Sequence, residues 1–194
     1  MLKAVNDQIQ FSNQQLDRYG KDQTGKVSYQ FNSAGFRSNL EFDYLPDMVF
    51  FGGSTVFGVG VSVEQTFPHI IADEKNFKIW NCSYACVNYN NQMIFDTIVL
   101  VHQHVKDIPV VVHWVGDRYD PLCTTSVYQF VEAAKKLYSH SIHFLIDGQE
   151  EKDKIIPGYF DLINPIWADI SATDTHPGPK THKGLAGFII KKLL

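Results

Sequence analysis

Cysteine is scarce in this 194-residue chain: Cys82, Cys86 and Cys123 are its three, too few for a disulfide framework. Cys82-x-x-x-Cys86 offers two metal donors, but a zinc site takes about four and no second cluster follows. Buried free thiols are the expectation, and no metal. No apolar run approaches the ~20 residues that cross a bilayer. The stretch MLKAVNDQIQFSNQQ lacks the apolar core of a signal peptide, so a cytoplasmic location without a membrane partner is expected. An excess of basic charge is missing too. Seventeen Lys and Arg stand against 21 Asp and Glu, a net charge of −4, and neither sign forms a long block. That argues against a nucleic-acid partner held by a basic face. Internal repeats and low-complexity segments are likewise lacking.

What is present is an ordinary globular composition, with 44% hydrophobic residues. The length suits one domain spanning 1–194, a polar and irregular extension over 1–45 preceding a core over 46–194. From Asp47 onward, strand and helix signals alternate. Met48 to Phe51, Phe77 to Trp80, Val110 to Val115 and Ile142 to Ile146 read as short buried strands. Helical faces appear at Phe67, Ile70 and Ile71; at Ile94, Ile98, Val101 and Val105; at Val127, Phe130, Val131 and Ala134; and at Leu185, Phe188, Ile189 and Leu193. Thr66 and Pro68 open the first of these. Such alternation predicts an α/β fold, a three-layer α/β/α sandwich around a parallel sheet of about four or five strands. Ligands bind such sheets at the carboxyl ends of the strands. The segments after the strands therefore matter most: Gly52 to Gly58, Asn81 to Asn91, Gly116 to Pro121, and the loop before the last helix.

One of these, "FFGGSTVFGVG" over residues 50–60, ends an apolar run in two glycines and two hydroxyl residues. A phosphate loop would need Lys and then Ser or Thr after Gly58, where Val59 and Gly60 stand. The dinucleotide fingerprint fails because Gly58-x-Gly60 runs on to Val63. An α/β-hydrolase elbow fails because Val56 holds its last glycine position. Two readings of Ser54 stay open: an N-cap for a short helix, and a nucleophile whose developing oxyanion lies near free backbone donors.

A serine hydroxyl is a weak nucleophile until a base takes its proton, and histidine suits that task near neutral pH. Asp174-Thr175-His176-Pro177 stands between the last strand signal and the last helix, a position from which an imidazole can reach the strand ends. A carboxylate beside it can orient the ring.

With these two blocks in hand, the sequence resembles the SGNH hydrolases, also called GDSL-like esterases and acylhydrolases, over roughly residues 47–190. "FFGGSTVFGVGV" is similar to the family's nucleophile block, "DTHPGPKTHKGLA" to its histidine block, and "FNSAGFRS" to a segment preceding the first block in one branch. The middle blocks depart from the pattern. In "NCSYACVNYNNQ" the block opens at Asn81, but its glycine position holds Cys86. In "HWVGDRYD" the asparagine position holds Arg118. The family's acidic residue lies three before the histidine, where Thr173 stands; Asp174 is two before it.

The resemblance implies a flavodoxin-like parallel sheet and serine ester hydrolysis without a cofactor. It implies Ser54 as nucleophile, His176 as base and Asp174 as its orienter, with Asp169 in reserve. Oxyanion and substrate contacts fall to Gly53, Cys86, Asn88 and Arg118. The expected substrate is a small-molecule or carbohydrate ester. An acyltransferase would use the same site, and a non-catalytic SGNH-like module binding a glycan or a protein is the alternative from another class. Remaining motifs have structural readings. Asn81-Cys82-Ser83 is a chance glycosylation match, and His102, His104 and His113 sit within predicted elements. Trp114 reads as core.

Overall fold

The computed structural model describes residues 27, 29–38, 41–85, 90–116, 120, 123–145, 159–163, 168–170 and 176–193. In chain order the elements are β1 (Met48–Gly52), α1 (Ser54–Phe57), a 3-10 turn (Val63–Gln65), α2 (Phe67–Lys75), β2 (Ile79–Ser83) and α3 (Asn91–His102). Then follow β3 (Val110–Trp114), α4 (Val127–Leu137), β4 (Ser141–Leu145), β5 (Leu162–Ile163) and α5 (Pro179–Leu193).

The strands form one five-stranded sheet in the order β2-β1-β3-β4-β5, every pairing parallel. Parallel strands need crossovers, and those crossovers cover both faces with helices. That is why β1, with the sequence MVFFG, reads as an unbroken apolar run. β1 alternates its side chains between two cores. Val49 and Phe51 join Val110, Val112 and Trp114 against Ile94, Ile98 and Val101 of α3 and Val127, Phe130 and Val131 of α4. Met48 and Phe50 face the other way, onto Val56 of α1, Phe67 and Ile71 of α2, and Leu185 and Ile189 of α5. The result is the expected three-layer α/β/α sandwich.

β2 lies at a sheet edge, and the segment before β1 covers it. Phe42 stacks on Trp80 at 5.0 Å and on Phe36 at 5.4 Å. Tyr44 donates its hydroxyl to the Ile79 carbonyl at 2.9 Å, and Asp47 exchanges hydrogen bonds with Lys78 through its N–H and its carboxylate. An open edge strand invites pairing with other chains, and this covering removes the opportunity. Phe31 and Arg37 form an isolated antiparallel bridge. Among the described residues no helix is long and apolar enough to cross a membrane.

Candidate active site

The strand order creates the site's location. β1 is flanked by β2 on one side and β3 on the other, so the chain turns in opposite directions around it. At such a reversal the crossovers diverge and leave a crevice outside the carboxyl ends of β1 and β3. β1 ends there in Gly52-Gly53. Gly52 has φ 152°, and a Cβ on it would meet Val56 Cγ2 at 2.5 Å and His113 Cβ of β3 at 2.9 Å. Only glycine lets β1 lie this close to β3 while the chain turns outward.

Ser54 follows as the first residue of α1, with Gly53 as the N-cap. The capping reading of Ser54 is thereby corrected: the cap position belongs to Gly53, which has no side chain to cap with. Ser54 is half-buried, and among the described residues no hydrogen bond engages its hydroxyl. Its backbone is tightly held. Gly58 and Val59 both donate to the Ser54 carbonyl, at 2.8 and 3.1 Å, and Phe57 donates to Gly53 at 3.0 Å.

Two buried polar side chains hold α1 from outside. Asn81, placed by the sequence at the start of a loop, lies inside β2 and donates through Nδ2 to the Val56 carbonyl at 3.1 Å. Its Oδ1 accepts from Ser83 at 2.6 Å. Arg37, in the segment ahead of β1, donates to the carbonyls of Phe57, Gly58 and Val61 at 2.8, 2.5 and 2.6 Å. Nothing in the sequence marks Arg37 apart from its place in "FNSAGFRS".

His176 lies on the segment that leaves β5 and leads into α5. It is half-buried, with Nδ1 shielded from solvent. The next residue, Pro177, bridges Ile170, and the Gly178 N–H donates to the Asp169 carbonyl at 3.1 Å. Asp169 does not serve as the reserve orienter. Its carboxylate caps α5, accepting from the Lys180 and Thr181 N–H groups at 2.9 Å each and from the Thr181 hydroxyl at 3.0 Å. Burial pushes that carboxyl up, but these bonds and the Lys180 charge outweigh it and hold it below the usual carboxylate range.

The histidine segment and the serine segment meet through His182 in α5. Its Nδ1 accepts from the Phe67 N–H at 3.3 Å, and its ring stacks on Phe67 at 5.9 Å. Thr66, the neighbour of Phe67, packs beneath Gly58. Burial and the Arg37 charge press the His182 pKa down to about 4, so the ring is neutral and structural at pH 7.

On the β3 side, Asn91 Nδ2 donates to the Val115 carbonyl at 2.7 Å, and Asn91 Oδ1 accepts from the Val115 N–H at 2.9 Å. Asp120 accepts from the Asn91 N–H at 2.8 Å. Asn90 caps α3 by accepting from the Met93 N–H at 2.9 Å. The described ends of the segments carrying the two middle blocks are thus anchored. Four site residues expected from the sequence, Cys86, Asn88, Arg118 and Asp174, lie outside the described residues. Ser54, Gly53 and His176 lie within them, on segments that follow strands β1 and β5.

A cavity of about 560 Å³ lies elsewhere, between the segment ahead of β1 and α2, lined by Arg37, Glu41, Glu64, His69 and Asp73 among others. Neither Ser54 nor His176 borders it. Burial, assisted by the Arg37 charge, depresses His69 in its wall to about 4.

No family model matches the sequence. No curated protein matches it either. Among solved structures, the chain is similar to a member of the lipolytic protein G-D-S-L family from Veillonella parvula DSM 2008, with 15% identity, 74% of this chain and 96% of that chain covered, and a TM-score of 0.49. It is also similar to a putative lipolytic protein of the G-D-S-L family from Desulfitobacterium hafniense DCB-2, with 10% identity, coverage of 74% and 97%, and a TM-score of 0.48. A lipase from a goat rumen metagenome matches at 10% identity, coverage of 74% and 95%, and a TM-score of 0.49.

Proposed function

We propose that the chain is a serine ester hydrolase that removes a small acyl group from a polar, carbohydrate-like alcohol. One observation carries the reading: Ser54 stands at the carboxyl end of β1, at the point where the strand order reverses, and among the described residues no hydrogen bond engages its hydroxyl.

In this mechanism Ser54 Oγ attacks the ester carbonyl while His176 takes the hydroxyl proton. The carbonyl π bond opens to an oxyanion, held by the N–H groups of Ser54 and Cys86 with Arg118 assisting. The oxyanion collapses, the ester C–O bond breaks, and His176 passes its proton to the departing alcohol. Water then attacks the acyl-Ser54 ester, giving a proton to His176, which returns it to Ser54 as the acid leaves. Asp174 orients the imidazole. If a sugar hydroxyl replaces that water, the same residues transfer the acyl group.

A non-catalytic glycan- or protein-binding module is the second reading, favoured by one observation: among the described residues, no hydrogen bond joins the Ser54 hydroxyl to an imidazole. Apo sites of working hydrolases are often looser than their Michaelis complexes, so the geometry leaves the first reading standing. The test is hydrolysis of p-nitrophenyl acetate and of acetylated sugars by wild type, Ser54→Ala and His176→Ala. Each variant is expected to lose on the order of 10³-fold or more in kcat. Hydrolysis that persists unchanged in Ser54→Ala removes the proposal.

A further inference from the structure

We propose that Arg37 is a positioning residue of the Ser54 site: by tying the carbonyls of Phe57, Gly58 and Val61 behind α1, it fixes the one-turn helix that presents the nucleophile. This inference rests on the reading of Ser54 as nucleophile.

A helix of four residues has no stability of its own. Nucleation fixes several dihedrals for one hydrogen bond, so isolated short helices do not persist in water. Its last carbonyls also lack intrahelical partners. The Gly53 carbonyl receives the Phe57 N–H, and the Ser54 carbonyl receives the Gly58 and Val59 N–H groups of the turn that follows. The Gly58 carbonyl receives the Val61 N–H at 3.3 Å; Arg37 Nη1 donates to it and to the Phe57 carbonyl, while Nη2 reaches the Val61 carbonyl. A cation at a helix C-terminus also opposes the negative end of the helix dipole.

The surroundings are shaped to admit this side chain. Gly58 closes α1 at φ 80°, ψ 52° in the left-handed region. A Cβ there would lie 3.0 Å from Arg37 Nη1 and 2.3 Å from Thr66 Cγ2. The guanidinium lies 4.6 Å from the centre of the Tyr29 ring and 5.2 Å from that of Phe57. Arg37 is 1% exposed. Among the described residues no carboxylate pairs with it, and its Nε–H has no hydrogen-bond partner.

Burial lowers the Arg37 pKa to about 10, so the group stays charged at neutral pH. The Glu64 charge acts on the guanidinium without pairing with it, and a buried charge that no carboxylate pairs among the described residues is a poor device for stability, since a well-packed apolar side chain avoids the desolvation cost. What an apolar residue lacks is the ability to set three carbonyls in fixed directions at once. A rigid planar fork does this, and a lysine does it less well. The carbonyls in question lie three to seven residues past Ser54, on the turn whose N–H groups grip the Ser54 carbonyl. Displacement of a reacting group by about 1 Å can cost 10²-fold in rate.

The test uses the full chain with Arg37→Lys and Arg37→Met, each assayed well below its own melting temperature. Two readouts are taken: kcat and KM for p-nitrophenyl acetate, and amide hydrogen exchange of residues 54–61 against that of β1 and β3. We expect kcat to fall about 10–100-fold in Arg37→Met with KM little changed, and Arg37→Lys to recover part of it. Exchange at 54–61 is expected to accelerate at least about tenfold while the strands stay protected. Arg37→Lys, which keeps the charge, serves where Arg37→Met fails to fold. Unchanged exchange at 54–61 in a folded variant overturns the proposal whatever the catalytic result, as does full kcat in both variants. A wild type without Ser54-dependent activity removes the hydrolase reading instead, and the assignment of Arg37 to a catalytic site falls with it.

Discussion

Asn91 and Val115 are joined by two hydrogen bonds, with the Asn91 side-chain amide pairing both the N–H and the C=O of Val115. Val115 is the first residue beyond β3, so the first turn of α3 sets where the sheet stops and the next loop begins. Both residues are buried, and loss of the amide strands two backbone groups away from water. Asn91→Ala is expected to cost about 2–4 kcal/mol, read as a lowered urea midpoint at constant slope. A change under about 0.5 kcal/mol contradicts this account of the loop anchor.

Stability is expected to fall on mild acidification. His113, His143 and His182 are each at most 1% exposed. Burial depresses His113 to about 3. Burial together with the Lys135 charge takes His143 to about 4, and burial with the Arg37 charge does the same for His182. The unfolded chain protonates these rings near pH 6.5, whereas the native state refuses the proton until about pH 4 or below. Their neutral burial therefore contributes stability in full above pH ~6.5 and loses it progressively down to about pH 4. The urea midpoint is expected to be level from pH 8 to 7 and to drop steadily below 6.5. His113→Leu should take about 1 kcal/mol per pH unit off that slope. A midpoint unchanged at pH 5 contradicts the prediction.

Two glycines in different settings should respond to alanine with opposite signs. Gly187 lies on the exposed side of α5, where a Cβ meets nothing within 4 Å. Gly187→Ala is expected to stabilise by about 0.5–1 kcal/mol. Gly58 combines φ 80° with a Cβ contact at 2.3 Å, and Gly58→Ala is expected to destabilise by more than about 1 kcal/mol. Thermal melts of the two variants check both signs.

The sequence made the layered fold legible because parallel strands between helices are apolar on both faces, and helical faces repeat at 3–4 residues. β1, β3, β4 and the long helices follow that signal. β2 is found later than the apolar run suggests, at Ile79–Ser83 rather than Phe77–Trp80. Its polar members, Asn81 and Ser83, satisfy each other and Val56 inside the core, which a hydrophobicity pattern cannot register. β5, two residues long, has no pattern to show. The segment before β1 reads as irregular, and among its described residues the Phe31–Arg37 bridge is the one β pairing; the stacking of Phe42 on Trp80 follows from tertiary packing alone.

For the site, the glycine-serine turn and the histidine segment carry local signals, and both follow strands as expected. Arg37 does not, because a buried arginine looks like a surface one until its carbonyl partners are known. Spacing from His176 puts Asp174 ahead of Asp169 as orienter but gives Asp169 no other role. The Thr181 and Lys180 bonds that commit Asp169 to capping exist only in the folded chain.

The central claim is that Ser54 is a nucleophile, and covalent labelling tests it most directly. Wild type and Ser54→Ala are treated with a fluorophosphonate and followed by intact-protein mass spectrometry and peptide mapping. The account predicts one phosphonyl adduct per chain, mapped to Ser54, absent from Ser54→Ala and strongly slowed in His176→Ala. No adduct on folded wild type, or the same adduct persisting in Ser54→Ala, would contradict it.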